Sequence, residues 1–152
     1  MLLDESKFGS QDIIRRLVQI YHDTMYPKYA SFLHRNSSSS STANSLGSFP
    51  FLPEKDLLTR WAEHVPDPNG GSYMLLMALC AVSSQTASLN AVFDHSLLEG
   101  VKIPDCENYF CEAISVIPIR IVECLDFDYM RSFGLLAVYS IQRGNHNDLI
   151  AI

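Results

Sequence analysis

Basic charge is what this sequence has least of. Its 11 Lys and Arg are outnumbered by 17 Asp and Glu, for a formal charge of −6, and apart from Arg15-Arg16 they stand singly. A nucleic-acid-binding protein neutralises several phosphates with clustered Lys and Arg, so no direct contact with DNA is expected of this chain. Long apolar runs are missing too. The longest, Tyr73 to Val82, covers about half of the roughly 20 residues that span a bilayer, and no membrane association is expected. The opening MLLDESKFGSQ has no basic stretch followed by an apolar one, which excludes a secretory signal at this end. The four cysteines, Cys80, Cys106, Cys111 and Cys124, show no paired spacing. That argues against a disulfide framework and against a zinc site, and favours reduced thiols in the nucleus or the cytosol. There is no GxSxG elbow, no Walker-type phosphate loop, no GxGxxG and no HExxH.

What is present is an apolar, helical pattern. With 47% hydrophobic and 18% charged residues in 152, the chain suits one domain, able to bury about 70% of the surface its unfolded form exposes. The stretch SYMLLMALCAVSSQTAS, Ser72 to Ser88, shows no polar face over its first three turns, where a surface helix keeps one. It reads as a buried central helix, with Ser72 as its cap. Phe127 to Gly144 is a second such run, capped by Asp126, closed by Gly144 and Asn145, and expected to pack against the first.

Amphipathic segments surround these two. Residues 1–9 read as a flexible leader and 10–152 as a single helical domain. Ser10 opens a helix expected over Gln11 to Met25, with Ile13, Leu17, Ile20, Tyr21 and Thr24 inward, and Pro27 is expected to turn or kink the chain. The Ser-rich segment 36–48, NSSSSSTANSLGS, reads as a disordered connector. Pro53 starts a helix that turns Leu57, Leu58, Trp61 and Val65 to one face. Leu89 to Leu98 is expected as a short helix with Leu89, Val92 and Phe93 inward. Pro104 starts another, burying Tyr109, Phe110, Ala113, Ile114 and Ile117. Ile119 to Leu125 is open between helix and extended chain. The expected fold is all-α: an irregular bundle of six or seven helices around two buried apolar ones.

Little in the sequence carries chemistry. Ser83 and Ser84 read as hydroxyls bonded to carbonyls one turn earlier, and each Cys as a core-lining thiol. His22, His34, His64, His95 and His146 stand singly near helix ends or on polar faces. Asp126 and Asp128 are explained by a helix start. No catalytic residue, metal ligand or cofactor is assigned, and the chain is not expected to be an enzyme. A candidate effector pocket lies between the two central helices, lined by Met74, Met77, Phe133 and Tyr139.

Four stretches in order carry a family resemblance: IYHDTMYPKYASFLHR, YMLLMALCAVSSQTA, IPDCENYFCEAISVI and DFDYMRSFGLLAVYSIQRGN. Over Ile13 to Asn147 the chain resembles the first part of the fungal-specific transcription factor domain, the middle homology region of fungal zinc binuclear cluster regulators. The six-Cys zinc module that reads DNA in that family is absent, the Ser-rich segment looks like an insertion, and Ile152 falls where family members continue into a further apolar helix. The resemblance implies a nuclear regulatory domain that modulates transcription through a small effector, a coregulator protein or other parts of the same or a related transcription factor. The alternative is a freestanding helical module that binds a small molecule or a protein without a role in transcription.

Overall fold

The computed structural model describes residues 4–34, 55–92, 94–118 and 126–144, with the backbone alone at 25–34 and 55. Within them the chain is all-α, without a strand: α1 (Glu5–Phe8), α2 (Gln11–His34), α3 (Lys55–Glu63), α4 (Gly71–Ser88), a 3-10 turn (His95–Leu98), α5 (Cys106–Ser115) and α6 (Phe127–Gln142). Five helices have nine residues or more, and α1 and the 3-10 turn are single turns. The expected six or seven helices are therefore not reached among the described residues. The shortfall falls mainly on 89–98. Asn90 adopts φ 54°, and the Ala91 N–H donates back to the Thr86 carbonyl at 3.1 Å, a left-handed cap that ends α4. Leu89 is left 60% exposed rather than inward, while Val92 is buried.

α4 is the centre. Every side chain from Tyr73 to Ser84 is buried, because α2, α5 and α6 each pack against it. α3 packs on α2, burying Leu58 and Ala62 with Trp61 and Val65 alongside. The second expected central helix differs. α6 packs on α4 with one face, carrying Tyr129, Ser132, Leu135, Leu136 and Tyr139, while Phe127, Met130 and Ile141 on it are exposed. Its sequence is apolar nearly all round, but among the described residues it has one major neighbour where α4 has three.

The helix ends refine the expectations. Gly70, not Ser72, stands at the N-cap of α4 and provides no side-chain bond. Ser72 lies inside the helix, and its hydroxyl donates to Asp128 Oδ2 at 2.7 Å. The cap of α6 is Asp126, whose Oδ1 accepts the Asp128 N–H at 3.0 Å. At the other end the Gly144 N–H donates to the Ile141 carbonyl at 3.0 Å. α5 starts at Cys106 on an Asp105 cap, two residues beyond the start expected at Pro104, because the Asp105 carboxylate accepts the Glu107 N–H at 3.0 Å. Its buried side chains are Tyr109, Phe110 and Ala113, and Ile114 is 37% exposed.

α2 continues through Pro27 to His34 instead of ending near Met25. A proline removes one N–H bond from the ladder, at about 3 kcal/mol in a helix interior, without forbidding the turns on either side. The inward face is Ile14, Leu17, Val18, Ile20, Tyr21 and Thr24, with Ile13 only half-buried.

Residues 4–9, expected as a flexible leader, are tied down. Phe8 is 3% exposed, the Tyr109 hydroxyl donates to its carbonyl at 2.6 Å, and Lys7 pairs with Glu112 at 2.8 Å. Gly9 takes φ 74°, where a Cβ would fall 2.6 Å from Ile13 Cδ1, so this tight junction between α1 and α2 requires glycine. The Ser-rich segment 36–48, Pro53, Phe93, Ile119 to Leu125 and Asn145 lie outside the described residues. Among the described residues no helix is long and apolar enough to cross a membrane.

Candidate functional site

Met74 and Met77 are fully buried on α4, Tyr139 is 1% exposed on α6, and Phe133 is half-buried beside them. All four belong to one continuous core. A cleft of about 390 Å³ lies elsewhere, where the C-terminal end of α4 meets the 3-10 turn and the start of α5. Of the four expected residues, Tyr139 approaches it, its hydroxyl 3.4 Å from Cys106 Sγ in the cleft wall.

The local sequence explains the cleft. α4 ends at Ser88, the chain crosses by way of Leu98 and Val101, and Ile103-Pro104 brings it back to start α5. The Ser84 hydroxyl ties this return to α4 by donating to the Pro104 carbonyl at 2.7 Å. Back-bonding within α4 was the expectation for Ser84, and the carbonyl twenty residues downstream wins because Pro104 faces it across the cleft. Ser83 turns the other way, its hydroxyl buried without a hydrogen-bond partner. Ala87, Leu98, Val101, Ile103 and Pro104 supply the apolar wall.

Beside the cleft the polar groups are satisfied among themselves. The Cys106 thiol is 3.1 Å from Gln85 Oε1, to which it donates, and burial is the main cause that pushes its pKa up. A neutral thiol is a poor nucleophile. The Tyr139 hydroxyl donates to Glu107 Oε2 at 3.1 Å and is held neutral, chiefly by burial and then by its contact with Cys106. Arg143 ion-pairs with Glu107 and donates to the Tyr139 oxygen at 2.9 Å, and the Phe110 ring stacks on Tyr139 at 4.7 Å. The wall behind Cys106 is thereby rigid.

Among the described residues no Lys, Arg or His lines the cleft, and the one carboxylate that does, Asp105, is engaged at the α5 cap. Its volume lies at the lower end of the roughly 300–1,000 Å³ typical of ligand pockets. The chemistry that fits is a small, uncharged, largely apolar molecule. An anion would find no counter-charge among the described residues of the wall. Sequence reasoning missed Ser84, Gln85 and Ile103 as a group because they meet only through a loop whose path no local pattern encodes.

The other polar clusters join elements. Asp128, 8% exposed, accepts from Ser72 on α4 and pairs with Arg131 at 2.7 Å. Glu112 accepts from Lys7 and from the Tyr73 hydroxyl at 3.0 Å, and burial first, then that bond, pushes the Tyr73 pKa up. The cysteines separate: Cys80 is buried, Cys106 half-buried and Cys111 exposed rather than core-lining, with Cys124 outside the described residues. His22 is 6% exposed, its ring edge-on to Tyr21 at 5.9 Å, whereas His64 and His95 are exposed. Among the described residues no three His, Cys, Asp or Glu side chains gather where a metal ion could be held. Set against known proteins, the chain matches no family model, no curated protein and no solved structure.

Proposed function

We propose that this chain is a regulatory and interaction domain of the fungal-specific transcription factor type, acting through a bound effector or a protein partner rather than through DNA. The supporting observation is that the four stretches carrying the resemblance fall in order on α2, α4, α5 and α6, with the most apolar of them enclosed by the other three. In this reading the helices packed round α4 are the first part of a larger helical regulatory domain. It works in the nucleus beside other parts of a transcription factor or a coregulator. The absence of a basic cluster accords with regulation by contact instead of DNA reading.

The test is a reporter assay in which the chain is joined between a heterologous DNA-reading module and an activation segment. Output several-fold different from that of a fusion carrying an unrelated helical domain of equal size supports the reading. Equal output from the two fusions overturns it.

The alternative, a freestanding small-molecule-binding module, draws on the apolar cleft between α4 and α5. A thermal-shift screen with small uncharged aromatic and aliphatic compounds separates the two. A midpoint that climbs with ligand concentration, together with no reporter effect, favours the freestanding module.

A further inference from the structure

The cleft at the end of α4 is built from fixed parts. Ser84, Ala87 and Ser88 line it three and four positions apart, which sets them on one face of the helix. Opposite them the chain is held at two points. The Arg16 guanidinium donates to the Leu97 carbonyl at 3.0 Å and holds the lip that carries Leu98 and Val101, while the Ser84 hydroxyl holds Pro104. Gly9 of the N-terminal turn stands against Pro104 in turn, so close that a Cβ there would fall 3.2 Å from Pro104 Cγ. A cavity between such walls is preformed, and a ligand entering it does not have to order them.

The polar side chains of this wall share one character. Among the described residues they are Ser84, Ser88, Asp105 and Cys106. Their protons are already given away inside the wall: that of Ser84 to the Pro104 carbonyl at 2.7 Å, that of Ser88 to the Gln85 carbonyl at 2.8 Å and that of Cys106 to Gln85 Oε1 at 3.1 Å. What these side chains have left to offer is lone pairs. Asp105 adds a carboxylate whose Oδ1 accepts the Glu107 N–H and whose Oδ2 takes no hydrogen bond from the described residues. The last turn of α4 holds no basic residue, so the negative end of its dipole adds to the same sign at Ala87 and Ser88.

We infer that this cleft takes a small neutral molecule with an apolar body and a hydroxyl group, a phenol or an alcohol, which donates its proton to the acceptors Ser88 and Asp105 while Ala87, Leu98, Val101 and Ile103 hold the body. The inference rests on the small-molecule reading of the cleft and adds the polarity of the group recognised there; it does not depend on a role in transcription. An ether, ester or ketone brings one more acceptor to side chains with no proton to give. A carboxylate meets Asp105 and the end of α4 with the same sign of charge. An ammonium would meet the opposite sign, but against a largely apolar wall its full charge loses hydration, a cost that the neutral hydroxyl avoids.

Equilibrium dialysis of the full chain against paired compounds tests this. Naphthol and octanol are each set against their methyl ethers, which keep the skeleton and lack the proton, and naphthoate and naphthylmethylamine supply the two charges. Each alcohol is expected to bind about fivefold or more tightly than its ether, and naphthoate not to bind. Ala87→Phe fills the cleft from α4 and Val101→Phe fills it from the lip, so that a folding defect in one, read by circular dichroism, leaves the other to decide. Both are expected to weaken the alcohols at least about tenfold. Ser88→Ala together with Asp105→Asn, which keeps a capping side chain, is expected to narrow the gap between alcohol and ether and to leave the ethers unchanged. Ethers held as tightly as alcohols leave the cleft a small-molecule site and overturn the hydroxyl inference, as does naphthoate or naphthylmethylamine held more tightly than naphthol. Binding that persists in both filled variants puts the ligand elsewhere and overturns it as well. No binding by any of the compounds overturns it together with the small-molecule reading.

Discussion

Two helical glycines, Gly71 at the start of α4 and Gly134 in the interior of α6, give a direct test of the packing. Both Gly71 and Gly134 lie in α-helices. An exposed helical Gly→Ala change in open space gains up to about 1 kcal/mol, through helix propensity and the reduced freedom of the unfolded chain. Gly134→Ala meets nothing within 4 Å and should realise most of that gain. For about 150 residues, 1 kcal/mol corresponds to roughly 2–4 °C in Tm. Gly71→Ala would place its Cβ 3.1 Å from Tyr129 Cδ2 and 3.2 Å from Asp126 Oδ2. Neither neighbour is free to yield. The Tyr129 hydroxyl donates to the Asn69 carbonyl at 3.2 Å, and Asp126 is fixed as the cap of α6. Overpacking of this kind costs about 1–3 kcal/mol, which outweighs the propensity gain and leaves a net loss of about 1 kcal/mol. Urea unfolding of the two variants and the parent checks the opposite signs. Equal or same-signed shifts would refute the close approach of α4 to the start of α6.

Two further outcomes follow from buried ionisable groups. Burial pushes the pKa of Cys80 above its ordinary 9.0 and that of Tyr109 above its ordinary 10.0. In the folded state both groups hold their protons at pH values where the unfolded chain has lost them. Their contribution is thus complete below about pH 9 and declines as pH rises through 9 and 10, by up to ~1.4 kcal/mol per pH unit for each group. Urea midpoints should be flat from neutral pH to the first of these values and fall beyond it, and a midpoint that rises across that range would contradict the burial of both. Thiol alkylation read residue by residue should order the cysteines as Cys111, then Cys106, then Cys80, following exposure and thiolate access. Labelling of Cys80 in the native protein as fast as Cys111 would show α4 to be open rather than enclosed.

What the sequence reveals is apolarity along the chain, and where apolarity decided the structure the reading holds. The run from Tyr73 to Val82 has no polar face and is buried on every side. Asp126 caps α6 because a short carboxylate before an apolar run has a local partner two residues on. Tyr109, Phe110 and Ala113 share a face through the helical repeat alone. The misses are long-range. Ser72 looks like a cap until Asp128, 56 residues away, is brought to it. Ser84 looks back-bonded until Pro104 returns across the cleft. Pro27 looks like a terminus because its local cost is visible and the turns that continue past it are not.

α4 and α6 show why periodicity has this limit. Both sequences are apolar around most of the helix, and a pattern confined to one chain segment cannot say how many neighbours that segment will have. α4 receives α2, α5 and α6, whereas α6 receives α4. The same composition therefore yields an enclosed helix in one place and an outward row of Phe127, Met130 and Ile141 in the other. The core holds Leu135, Leu136 and Tyr139 of α6, whereas on the outer side the Phe127 ring meets the Arg131 guanidinium 4.9 Å from its centroid.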